Sequence, residues 1–387
     1  MSSLLIIAII SILIAAFSWK AYFDRLSIPW RIYYILNGFN SRNKSFSLNL
    51  LNERNDTKRL ICLIPYVAAS FTPAIFLLEK NKLILGSLAY VYWRVLDTFD
   101  DLLIGEERER GLCILYDRLQ RLHEHGVASN DYEIDNYSFS IAGPRDRIYI
   151  IIVKHIEILD SIFLSIDRAD RDMLLRFVKN QTEDFVFARR SHFKTDYQYH
   201  NRCLSVIMTG LYLSTFEINK SLYGREIDKN TKDMLEDTCE AFSTGNIIKD
   251  LETDFRQGIS YHPDLCPRGI IDEIASDEMI KISECREYLT YRGIQKLPST
   301  CAMFKSEWNN SYRTKFMALL LKTYLLNNYR KHWSNFRGEH FRALDTKRVF
   351  AWCLVKTLWD WETGIMELDQ EMLSWRPDVK PLWEGRS

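Results

Sequence analysis

A chain of 387 residues with 47% hydrophobic content can bury the core of one large or two ordinary domains, and its 15 Gly and 9 Pro favour long helices over a sheet of many short strands. Its 51 basic and 51 acidic residues balance to zero net charge, which leaves no electrostatic footprint for nucleic acid. The eight cysteines show no Cys-x-x-Cys spacing, which argues against a zinc site or a disulfide frame, so they read as reduced, mostly buried thiols of a cytosolic setting.

Residues Leu4 to Phe17 are apolar apart from Ser11, and Lys20, Arg25 and Arg31 follow. The run is at the short end for a membrane span, and no basic residue precedes it as a cleaved signal peptide would require. A basic flank on its C-terminal side would keep the rest of the chain cytosolic. An N-terminal membrane anchor over residues 1–24 is the reading, set against a buried or interfacial helix, and Trp30, Tyr33 and Tyr34 then fall at the membrane interface. From Phe46 to about Glu124 the pattern is helical, broken near Asn55-Asp56 and at Pro73, with Leu83 to Ile104 its strongest helix. Gly126 to Pro144 is polar and irregular and reads as a loop within a domain. The spacing predicts further helices over Ile148–Leu164, Asp170–His192, Asp196–Leu222 and Asp228–Phe255. Gly258 to Asp277, with Pro263 and Pro267, reads as a long loop placed to serve as a lid. Glu278–Tyr291, Ser299–Trp308, Ser311–Trp333 and Thr346–Leu368 complete the series, giving a single all-α domain over residues 40–375 behind the anchor.

Two acidic stretches stand out against this background. In Asn246-Ile-Ile-Lys249-Asp250-Leu-Glu-Thr-Asp254, one amide and two carboxylates recur every four residues, which on a helix lines them along one face. That donor set suits a hard divalent cation such as Mg²⁺. In Arg94-Val-Leu-Asp97-Thr-Phe-Asp100-Asp101, the carboxylates of Asp97 and Asp101 are again four apart in an apolar helical run. Two such faces suggest one shared site. Carboxylates of a helical bundle with apolar walls can hold several Mg²⁺ ions that bind a diphosphate, let an allylic carbon–oxygen bond ionise and keep water from the carbocation. Tyr90, Tyr92, Trp93, Phe99, Phe185, Phe187, Tyr197 and Tyr199 are candidates for those walls, although an aromatic at helical spacing also serves as plain core.

These residues resemble the squalene and phytoene synthases, which share the class I terpenoid synthase fold. Tyr90-Val-Tyr-Trp-Arg94-Val-Leu-Asp97-Thr-Phe-Asp-Asp101 is similar to that family's first aspartate region, and Gly245-Asn246-Ile-Ile-Lys249-Asp250-Leu-Glu-Thr-Asp254, followed by Gly258 and Pro263, to its second. The two lie about 150 residues apart, with Ser70-Phe71 upstream, and the similarity spans roughly residues 65 to 330. The resemblance implies that Asp97, Asp101, Asn246, Asp250 and Asp254 ligate Mg²⁺, three ions in all. It further implies that Arg94 and Lys249 contact the diphosphate and that Tyr90, Ser70 and Phe71 line the substrate site.

The departures from the family pattern bear on the reaction. Ala68-Ala69-Ser70-Phe71 stands where the family has Ser-Arg-Ser-Phe, and Gly258-Ile259-Ser260-Tyr261 lacks a basic residue that the family carries there. If Cys203 matches the family's cysteine, Arg202 replaces the tyrosine that handles the proton in head-to-head coupling. Arg202 reads either as a diphosphate-sensing arginine of the terpene-cyclase kind or as a structural arginine paired with a carboxylate. Joining two prenyl diphosphates requires cations for two head groups, so the loss of two basic residues favours one substrate. The expectation is therefore a Mg²⁺-dependent, monomeric terpene synthase that ionises and cyclises farnesyl diphosphate, with its catalytic domain facing the cytosol. The alternatives are a head-to-head prenyltransferase, which would consume NADPH if it makes squalene, and an inactive membrane-tethered relative acting as an assembly factor.

Overall fold

The computed structural model describes residues 28–40, 55–68, 72–128, 134–141, 143–190, 193–205, 228–265, 269–304, 311–336 and 345–375. Regular structure among them is all helical, with no strand. In chain order the α-helices are α1 (Ile28–Asn40), α2 (Asp56–Val67), α3 (Thr72–Phe76), α4 (Lys80–Leu102), α5 (Gly105–His125), α6 (Pro144–Lys154), α7 (Asp160–Ser165), α8 (Arg168–Arg190), α9 (residues 196–205), α10 (Lys229–Arg256), α11 (Ser276–Met303), α12 (Tyr312–Phe336), α13 (Thr346–Trp359) and α14 (Trp361–Ser374). The chain divides into two compact units, one of Met1–Leu103 with Arg121–Arg171 and the other of Ile104–Gln120 with Asp172–Ser387.

The first unit is organised on α4. Leu83, Leu85, Leu88, Val91, Tyr92, Val95, Leu96 and Phe99 are buried there, so the predicted apolar period is realised as core. Tyr92 meets Phe163 of α7 edge to face at 6.4 Å, and Phe99 stacks on Phe139 at 6.5 Å. Asn55 caps α2 by accepting from Lys58 N at 2.9 Å.

The second unit is organised on α10, which is buried without interruption from Thr238 to Gly245. Packing there is close: a Cβ on Gly293 of α11 would lie 1.9 Å from the Tyr329 hydroxyl of α12. That hydroxyl donates to the Ala241 carbonyl of α10 at 2.6 Å, so one glycine lets three helices meet around one tyrosine.

Three predicted boundaries are corrected. The break expected between Tyr291 and Ser299 is absent, because α11 runs through Pro298. Lys296 and Ser299, on either side of that proline, both bond Asp237 of α10 at 2.7 and 2.8 Å, and this tertiary clamp outweighs the lost backbone bond. The helix expected over Thr346–Leu368 breaks instead at Asp360, whose backbone leaves the helical region while the Trp361 indole donates to the Lys315 carbonyl at 3.0 Å. Ile148–Leu164 likewise divides at His155.

Among the described residues no helix is long and apolar enough to cross a membrane. The run Leu4–Phe17, Ser70 and Phe71, and the later part of the helix expected over Asp196–Leu222 all lie outside the described residues. Tyr34, expected at a membrane interface, is instead core at 4% exposure.

Candidate active site

Asp97 and Asp101 lie one turn apart near the end of α4, because the helix continues unbroken to Leu102. Asp97 is half-buried and Asp101 exposed, while Asp100 is buried. Arg94, one turn earlier, ion-pairs with Asp97, and its guanidinium lies 4.7 Å from the ring centroids of both Trp93 and Tyr149. It also donates to the Tyr90 hydroxyl at 3.4 Å. Burial alone would push the Arg94 pKa down, but Asp97 and Tyr90 hold it above the ordinary arginine value. Burial raises the Tyr90 hydroxyl, opposed by Arg94. Among the described residues the buried Arg94 Nε meets no acceptor, so this guanidinium retains a donor for one further oxygen.

In the second unit Asn246, Asp250 and Asp254 occur every four residues along α10, all half-buried. Lys249 Nζ is 3.4 Å from the Asp250 carboxylate, in a pair that is 58% and 46% exposed. Arg286 of α11 fixes this stretch by donating to the Ile248 carbonyl at 3.3 Å and to Glu252 at 2.6 Å. Gly258, at φ 90°, turns the chain out of α10, and Ile259 N donates back to the Asp254 carbonyl at 2.8 Å.

Among the described residues no three His, Cys, Asp or Glu side chains gather into a cage that could hold a metal by themselves. Each acidic row offers two carboxylates, joined on α10 by an amide. Mg²⁺ is commonly held by one or two carboxylates, with water and phosphate oxygens completing its shell, and these donors fit that habit.

Arg202, on α9, is 7% exposed, ion-paired with Asp184 of α8, set 5.1 Å from the Phe185 ring centroid and bonded to Tyr261. These contacts match the structural of its two readings. Burial raises the Tyr261 hydroxyl, opposed by Arg202 and reinforced by Asp254. Asp184 also lines a cavity of about 650 Å³ beside α8 and α9, together with Phe177, Asn180, Phe187, Asn201 and Leu204. Of the other aromatic candidates, Tyr92, Phe99, Phe185 and Tyr199 are core, and Tyr197 is exposed at 72%.

A second buried polar group escaped sequence reasoning. Glu240 of α10 is fully buried and accepts from Arg292 of α11, while His200 Nδ1 of α9 lies 2.6 Å from its other oxygen. Arg292 also pairs with Asp196 and lies 5.2 Å from the Tyr199 ring centroid. The signal available was Glu240 itself, a carboxylate in the otherwise uncharged run Thr238–Ile248 that must find a cation if buried. The Glu240 bond raises the His200 pKa, against partial desolvation. A raised folded-state value means that the stabilisation is full below the ordinary histidine pKa of about 6.5 and is lost as pH rises through the raised value. Urea unfolding across this range should therefore show a fall in stability with rising pH that His200→Gln flattens; equal slopes in the two proteins would contradict the assignment.

No protein-family model matches the chain, and no curated protein matches it by sequence. Among solved structures it is similar to the squalene synthase TcSQS in complex with BPH1237, at a TM-score of 0.58 and 14% identity, over 85% of this chain and 94% of that one. It is also similar to TcSQS in complex with E5700, at a TM-score of 0.54 and 13% identity, over 82% of this chain and 96% of that one.

Proposed function

We propose that this chain, whose fold is squalene synthase-like, is a Mg²⁺-dependent enzyme that ionises a linear prenyl diphosphate, farnesyl diphosphate by preference, and lets the cation cyclise to a terpene. The observation that carries the reading is the pair of carboxylate rows, Asp97 with Asp101 and Asp250 with Asp254, each at helical four-residue spacing on that fold. Bound Mg²⁺ would supply the charge that stabilises diphosphate as a leaving group. In the first unit Asp101 would contribute oxygen donors, with Asp97 once released from Arg94, whose Nε would then be offered to a diphosphate oxygen. In the second unit Asn246, Asp250 and Asp254 would contribute oxygen donors of their own. Lys249, half in solvent beside Asp250, offers a second cation.

Cyclisation of one substrate follows from the shortage of cations for two. Ala69 stands where the resemblance would place an arginine, the turn Gly258-Ile259-Ser260-Tyr261 adds no basic residue, and Arg202 is already engaged by Asp184. The second reading is head-to-head coupling with NADPH, favoured by the likeness to squalene synthase structures. Release of diphosphate from farnesyl diphosphate, followed with and without EDTA, tests what both readings share. Metal-dependent release is expected; no release from geranyl, farnesyl or geranylgeranyl diphosphate would overturn it.

A further inference from the structure

Helix α1 is fixed to the first unit by one face. A Cβ on Gly38 would come 2.7 Å from Thr72 Oγ1, so the helix lies hard against α3. Arg31 donates to the carbonyls of Phe76 and Leu78 at 3.2 and 2.6 Å. Tyr34 stacks on Phe76 at 5.3 Å and its hydroxyl is 3.3 Å from Cys62 Sγ. The other face carries Ile32, Tyr33 and Leu36, exposed at 53%, 53% and 51%, with Trp30 edge to face against Tyr33 at 5.3 Å. Specific inner contacts thus present an apolar, aromatic strip outward on a helix that has no acidic residue.

The surrounding sequence supplies the charge. Apart from Arg31, which the inner face engages, the chain up to Asn52 holds Lys20, Arg25, Arg42 and Lys44 against Asp24 alone, four cations and one anion, although the whole chain is neutral. Exposed aliphatic and aromatic side chains in a cationic stretch are the chemistry of an interfacial helix on an anionic bilayer, where both buried apolar area and basic charge contribute. We infer that the outer face of α1 is a membrane-docking surface, with Ile32, Tyr33 and Leu36 entering the interface of an anionic lipid bilayer and Trp30 at its edge. The inference is independent of the reaction proposed above, and it concerns a contact distinct from the Leu4–Phe17 run.

Hydrogen exchange read by mass spectrometry on the full chain separates α1 from that run. Vesicles of phosphatidylcholine and phosphatidylserine should slow exchange in peptides covering α1 severalfold, with a weaker effect from phosphatidylcholine alone. Ile32→Asp combined with Leu36→Asp should abolish the slowing, and the milder Leu36→Gln should weaken it, with helical content unchanged because both sites are more than half exposed. Exchange in α1 that vesicles leave unchanged would overturn the inference. So would slowing that follows protein concentration without lipid, which would indicate a second copy of the chain on this face.

Discussion

Asp250→Ala should lower turnover of farnesyl diphosphate by at least about a hundredfold while leaving the unfolding midpoint within a few degrees of the parent, since a lost ligand disables metal-assisted ionisation. The stability half of the expectation comes from the surroundings of Asp250. Its carboxylate is half in solvent and its partner Lys249 is more exposed still, and such pairs are worth about 0–1 kcal/mol. The first unit calls for a different choice of residue. Asp97→Ala would strand the Arg94 guanidinium between Trp93 and Tyr149 without its carboxylate, so lost activity and lost stability would arrive together. Asp101 is exposed, and Asp101→Ala separates the two effects. Turnover retained in Asp250→Ala or Asp101→Ala would remove that row from the metal site.

Loss of Arg292 should have the largest effect on stability, about 3–5 kcal/mol in Arg292→Met, because it strips the fully buried Glu240 carboxylate of its arginine partner and leaves it hydrogen-bonded to His200. Adding Glu240→Leu to Arg292→Met should recover most of the loss, since an apolar pair needs no desolvated partner. Urea unfolding of the two variants measures both numbers. A cost below about 1 kcal/mol for the single variant would mean that water reaches Glu240 in solution. The position matters for the chemistry because Glu240 lies six residues before Asn246 on α10, where helix placement sets the aim of the acidic row.

The long helices and both acidic rows were legible from the sequence, because each depends on periodicity within one element: α4 and α10 begin and end within a few residues of their expected limits. What was not legible depends on partners distant in sequence. Pro298 looks like a helix end until Lys296 and Ser299 are seen anchored to Asp237. Arg202 pairs with Asp184 on another helix, a partner that spacing along the chain does not reveal. The resemblance assigns Arg94 to the diphosphate, but its stacking on Tyr149, a residue of another helix, is a tertiary fact. Tyr34 and Tyr33 are neighbours of one chemistry, and only docking on Phe76 decides which is buried.

Incubation of the full chain with farnesyl diphosphate and Mg²⁺, with and without NADPH, followed by gas chromatography and mass spectrometry, tests the central claim most directly. A fifteen-carbon hydrocarbon formed without NADPH and abolished by EDTA is the predicted result. Farnesyl diphosphate recovered unchanged whenever Mg²⁺ is present would contradict prenyl diphosphate ionisation altogether, while a thirty-carbon product would contradict cyclisation and establish coupling in its place.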